Sequence, residues 1–209
     1  MADNATAQET LFALREQIAR LEGKALPAKA AAEQADLAAQ REEPAAGNRS
    51  RLPFDIEEMD EALEGGLLLD AITEIRSLSM HDAGAASGFV LSLAALLKTK
   101  ECNEKPMLWI ADGFSAREVG MPYGSGLKQF GLDPHTVFHA SPRKLDDALW
   151  LAEAALASGV FLVTILEVHG NPKAFGLTES RRLNLRAKAA GRPLFLLRHA
   201  GEEEASSAS

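Results

Sequence analysis

Between residues 51 and 200, short apolar runs alternate with stretches whose apolar residues recur every three or four positions. That alternation predicts an α/β domain with a doubly wound, mainly parallel sheet. Strands are expected over 71–76, 107–111, 136–139, 160–167 and 194–198, and helices over 56–63, 84–98, 124–130, 142–158 and 178–190. The helix over 142–158 is the best delimited, with Ser141 as its cap, Pro142 at its first position and Gly159 just past its end. Its apolar residues Leu145, Ala148, Leu149, Ala152, Ala155 and Leu156 form one stripe. The run from Val160 to Leu166 is apolar on both faces, as a central strand covered on both sides requires.

Outside this core the pattern thins. In residues 1–22 the Thr6-Ala7-Gln8-Glu9 capping box precedes Leu11, Leu14, Ile18 and Leu21, which predicts a two-heptad amphipathic helix. Its seam is too narrow to hold alone, so it packs on its own domain, on a copy of itself or on a partner. Residues 23–50 read as an Ala-rich linker, and 201–209 as an acidic, disordered tail with nothing to bury.

Composition sets the class. With 209 residues, 46% hydrophobic and 25% charged, the chain has room for one domain plus appendages. A single cysteine, Cys102, excludes intrachain disulfides and thiolate clusters, so a reducing, cytoplasmic home is the default. The start of the chain lacks a signal pattern, and no uninterrupted apolar run approaches the roughly 20 residues of a membrane span, so no membrane association is expected. A net charge of −8 is repelled by nucleic acid, so DNA contact is expected to be weak or indirect.

Local charge modifies that balance in two places. Asp55, Glu57, Glu58, Asp60, Glu61 and Glu64 surround a short helix whose Ile56, Met59 and Leu63 face inward, a solvated face or a partner site. Arg181, Arg182, Arg186, Lys188 and Arg192 form a basic helix opposed by Glu179 alone, where DNA phosphate or an acidic partner could dock, or which is again a solvated face. The loop 169–176 before it holds Lys173 and Phe175, a weak DNA-binding signal. The five histidines form no ligand motif: His135 and His139, on a turn and a strand, would lie about 13 Å apart, and no metal is expected. Gly84-Ala85-Ala86-Ser87-Gly88 is out of register with a nucleophile elbow, so Ser87 reads as a small residue in a tight loop, and no catalytic residue is assigned.

Leu52-Pro53-Phe54-Asp55-Ile56, Leu63-Glu64-Gly65-Gly66-Leu67, the strand Ile72-Thr73-Glu74-Ile75 and Tyr123 to Asp133 together resemble the core of the RecA family of DNA-strand-exchange ATPases. Within that superfamily, Gly84 to Phe89, Leu127 to Leu132, Leu149-Trp150 and Leu177 to Leu183 are most similar to the ImuA family. The implied fold is RecA-like with a degenerate P-loop, plus the N-terminal amphipathic helix.

A phosphate-binding loop needs glycines, a lysine and a hydroxyl. No Lys or Arg lies between Arg76 and Lys98 here, Phe89 stands where the lysine would, and Asp82 adds negative charge. The resemblance leaves Gly84, Ser87 and Gly88 as degenerate nucleotide-binding positions. Glu167, ending an apolar strand, stands for the metal-holding acid, and Asp112, after another, lies near the water-activating one. Hydrolysis and a cofactor are not expected, with room left for weak ATP binding.

Resemblance to the ImuA family implies a noncatalytic accessory of SOS-induced translesion synthesis. Its partners would be an ImuB-type polymerase-like protein and an error-prone C-family polymerase. By analogy with RecA, whose N-terminal helix docks on the neighbouring protomer, Leu11, Leu14, Ile18 and Leu21 would mediate self-association, giving a homo-oligomer, or partner contact. The alternative is a SulA-like inhibitor of the tubulin-like division GTPase, disfavoured by the linker, the N-terminal helix and residues 177–183. A nucleotide-dependent enzyme comes last, for want of the lysine.

Overall fold

The computed structural model describes residues 50–101 and 104–201. The N-terminal helix expected over 1–22, the linker over 23–50 except Ser50, and the tail over 201–209 except Gly201 lie outside the described residues. In chain order the elements are β1 (Arg51–Leu52), α1 (Glu57–Ala62), β2 (Leu67–Leu68), β3 (Ile72–Ser77), α2 (Ala83–Glu101), β4 (Met107–Ala111), α3 (Ser115–Glu118), α4 (Gly124–Gln129), β5 (Val137–Ala140), α5 (Leu145–Ser158), β6 (Thr164–His169), α6 (Leu177–Ala190) and β7 (Leu194–His199). Five strands form one parallel sheet in the order β3-β7-β6-β4-β5, the α/β architecture that the alternating pattern predicts.

Period-two alternation explains why these strands are nearly continuous apolar runs: each face carries its own helices. On one face Val90, Leu93 and Leu97 of α2 and Leu127 of α4 pack over Met107, Trp109, Ile165, Phe195 and Leu197. On the other, Ala148, Leu149, Ala152 and Leu156 of α5 and Leu183 and Ala187 of α6 cover Ile72, Leu108, Ile110, Leu166, Leu194 and Leu196. Each large aliphatic side chain removed from water contributes about 1.5–3 kcal/mol before its ordering entropy is subtracted. The chain leaves β4 on the first face and β6 on the second, so a topological switch falls between those neighbours, where α/β sheets open a crevice at their C-terminal edge.

A small antiparallel pair, β1 with β2, flanks α1 at the entry to the sheet. Gly66 makes it possible: its φ is +113°, and a Cβ there would lie 2.1 Å from the Leu52 carbonyl oxygen. Arg51 closes the turn, its Nη1 donating to the carbonyls of Leu63 at 2.7 Å and Gly66 at 3.0 Å.

Several expectations shift. Helix α5 starts at Leu145 and Lys144 is its N-cap, so Ser141 and Pro142 belong to the preceding connection. That connection runs across Gly113, where a Cβ would come within 3.5 Å of the Pro142 carbonyl. Asp146 and Asp147 in the first turn face the positive end of the helix dipole instead. Strand β6 starts at Thr164, not 160, although the Leu162 amide already donates to Pro106 and the Leu108 amide to Val163. Ile56 does not face inward: it is 48% exposed, because it occupies the extended N-cap position of α1. Met80–Glu101, with a mean hydropathy of 1.3, is long and apolar enough to cross a membrane by length and composition alone, a test that the core helix of a folded domain also passes. Its Val90, Ala94 and Leu97 are fully buried in the core.

Candidate functional site

The first turns of α2, the C-terminal halves of β4 and β6, and residues 119–130 line a cavity of about 240 Å³. Helix α2 contributes Gly84, Ser87, Gly88 and Leu91; the strands contribute Trp109 and Glu167; Val119 to Tyr123, Gly126, Leu127 and Phe130 form the far wall. Glycines let the space reach the α2 backbone: a Cβ at Gly84 would meet nothing within 4 Å, and one at Gly88 would sit 3.6 Å from Phe130 Cζ. Among the described lining residues there is no Lys, Arg or His.

Beneath the cavity lies a buried polar chain crossing four strands. The Trp109 indole donates to Glu167 Oε2 at 2.7 Å, and His199 Nε2 meets Glu167 Oε1 at 2.9 Å. His199 Nδ1 lies 2.8 Å from Ser77 Oγ. A carboxylate accepts only, so His199 donates from Nε2; at Nδ1 a neutral ring accepts the Ser77 hydroxyl, and a protonated one donates to its oxygen. Every member is buried, Glu167 at 1% exposure and His199 at 0%. These are the residue types of a nucleophile, base and orienting acid. Ser77, however, is buried and does not line the cavity, so its hydroxyl meets no substrate space. His139 stands 6.4 Å from the Trp109 ring. Burial pushes its imidazole below the ordinary histidine range, and the Glu167 charge pulls back against that shift.

Four of the sequence candidates meet here: Gly84, Ser87, Gly88 and Glu167 share the cavity. Ser87 is not in a tight loop but in the second turn of α2, and its Oγ is buried without a hydrogen-bond partner among the described residues. Glu167 is inside β6, not at its end, because the strand runs on to His169. Asp112 stays apart: Oδ1 accepts the amides of Phe114 and Ser115 at the start of α3, and Oδ2 accepts the His169 amide. Both acids are therefore engaged in holding the fold.

On α6 Arg182 pairs with Glu153 of α5; Arg192, expected on the same helix, lies past its Gly191 C-cap and pairs with Glu101 of α2. Arg181, Arg186 and Lys188 make no ion pair among the described residues, so the patch is three free cations, not five. In the loop before it, Phe175 is buried under the Arg198 guanidinium, 5.2 Å from ring centre, and cannot stack on a base. Leu11, Leu14, Ile18 and Leu21 lie outside the described residues. No group of three or more His, Cys, Asp or Glu among the described residues is placed to hold a metal.

Sequence reasoning missed Trp109, Tyr123 and Phe130 as cavity walls, and Ser77 and His199 as partners of Glu167. Period two offered a partial signal, since it assigns Trp109, Glu167 and His199 to one face once strand neighbours are known.

Fold and site together define a doubly wound α/β protein with a largely apolar cavity at the sheet's switch point, without a Lys, Arg or His among its described lining residues. No family model and no curated protein matches the chain. Among solved structures it is similar to SulA from Pseudomonas aeruginosa, at 15% identity and a TM-score of 0.42, covering 61% of this chain and 97% of that one.

Proposed function

We propose that this protein is a noncatalytic, RecA-like accessory of the ImuA type, acting in the cytoplasm in SOS-induced translesion synthesis. Its partners are an ImuB-type polymerase-like protein and an error-prone C-family polymerase. The observation that supports it is the cavity at the degenerate phosphate position, which has a buried carboxylate in its floor and no lysine, arginine or histidine in its described lining. Phosphoryl transfer depends on cations that neutralise the phosphates, and here the fixed charge has the wrong sign. At about 240 Å³ the space also falls below the roughly 300–1,000 Å³ of pockets for drug-sized ligands. The partner assignment rests on the segments resembling the ImuA family, Gly84 to Phe89 and Leu177 to Leu183 among them.

Affinity purification of the tagged protein from cells of its source treated with a DNA-damaging agent tests the reading, with co-purifying proteins identified by mass spectrometry. Recovery of a polymerase-like protein and an error-prone polymerase subunit is expected. Recovery of the division GTPase without them overturns the reading in favour of a division inhibitor, and ATP turnover by the pure protein overturns its noncatalytic part.

A further inference from the structure

We propose that the cavity is a socket for a small organic cation, an ammonium or guanidinium group on an apolar stem. The inference stands on the cavity alone and does not depend on the translesion reading. Glu167 supplies the charge: it lies in the floor, and the groups bonded to its carboxylate are the indole N–H of Trp109 and the imidazole of His199, which the Ser77 hydroxyl satisfies on its other side. With His199 neutral, its Nε2 donating to Glu167 and its Nδ1 accepting the Ser77 hydroxyl, no counter-cation stands beside the carboxylate.

The walls favour the same ligand. Trp109, Tyr123 and Phe130 are aromatic, and a cation within about 6 Å of a ring face is attracted by the ring quadrupole, more strongly when desolvated. Ser87 Oγ, buried and unpartnered among the described residues, is an acceptor waiting for an N–H. A strongly hydrated metal ion would have to shed its water into apolar walls, whereas guanidinium is weakly hydrated, and both guanidinium and alkylammonium ligands bring an apolar stem for the walls to cover. The start of α2 opposes a cation with roughly half an elementary charge that fades within one turn. Glu167 carries a full charge, and Ser87 and Gly88 are already in the second turn.

The ligand's source is either a free metabolite-sized amine or a basic side chain presented by a protein. Trp150 is 62% exposed on α5, and the chain has 2 tryptophans, so Trp150→Phe leaves Trp109 as the sole reporter. In that background Trp109 fluorescence is titrated with butylguanidinium, with blocked arginine (N-acetyl, methylamide), with 1-pentanol as neutral isostere and with Mg-ATP. Saturable changes are expected with butylguanidinium, and at least tenfold weaker binding of pentanol and ATP. Blocked arginine binding as well as butylguanidinium identifies a side-chain socket, and exclusion of blocked arginine identifies a free amine. Glu167→Gln is expected to weaken the cation at least tenfold. Tyr123→Ala, at the exposed rim, is expected to weaken it several-fold without changing the thermal melt, and so serves if Glu167→Gln does not fold. Equal binding of pentanol and the cation, preference for ATP, no saturable cation binding, or no effect of either variant overturns the proposal.

Discussion

Glu74 is a carboxylate whose burial works against its charge. On the sheet face opposite the cavity, its Oε1 accepts from Arg76 Nε and Arg198 Nε, both at 2.8 Å. Burial pushes the carboxyl up, and the two guanidinium groups more than offset it, so the group sits below the ordinary glutamate range. A pKa lowered by folding contributes stability above the unfolded value of about 4.3 and loses it as pH falls through the folded value. Glu74→Gln is therefore expected to destabilise most near pH 7 and progressively less below about pH 4.3, read from urea midpoints across pH. Arg198 is buried with it and also donates to the Gly170 carbonyl at 2.9 Å. Arg198→Met is expected to cost about 3–5 kcal/mol at pH 7, toward the lower end because Arg76 remains.

Helices α2 and α5 differ in how much of them the sequence shows. The apolar stripe of α5 was legible because helical periodicity is local, and Ala148, Leu149, Ala152, Ala155 and Leu156 are all buried. Its start was not, because the packing of 141–144 over Gly113 outweighs Ser141 and Pro142. The same limit governs the site. Glu167 and His199 are 32 residues apart, and Ser77 and His199 are 122 apart. Their meeting depends on which strands are neighbours, and periodicity carries no such information. Elements of two to four residues, such as β1, β2 and α3, are too short to leave a pattern. Burial, not residue size, sets what each helix position contributes. Leu93→Ala in α2, 2% exposed, is expected to cost about 2–5 kcal/mol. Trp150→Ala in α5 is expected to stay within about 0.5 kcal/mol, and parallel chemical denaturation distinguishes the two.

For the molecule as a whole, charge argues that contact with DNA needs help. The net charge is −8, and ion pairs with Glu153 and Glu101 reduce the basic helix to Arg181, Arg186 and Lys188. Three phosphate contacts would give a shallow salt dependence, with a slope near −2 to −3 in log affinity against log salt. Fluorescence anisotropy with single-stranded DNA is expected to show no saturable binding by the isolated protein at 0.15 M salt. Replacing those three residues by alanine is expected to remove the residual signal at low salt.

The sheet order also governs how the protein is made. β3 joins the sheet only through β7, although the two strands are paired across 122 residues, from Ser77 to His199. At roughly 5–20 residues per second, a ribosome that has placed Ser77 needs about 6–24 s more to supply that partner. During that interval β3 and the apolar face of α2 are outside the peptidyl-transferase centre without the strand that closes over them. Folding of this domain is thus tied to the synthesis of β7, and a nascent chain stalled before residue 194 presents an unpaired strand edge and a greasy helix to chaperones and proteases.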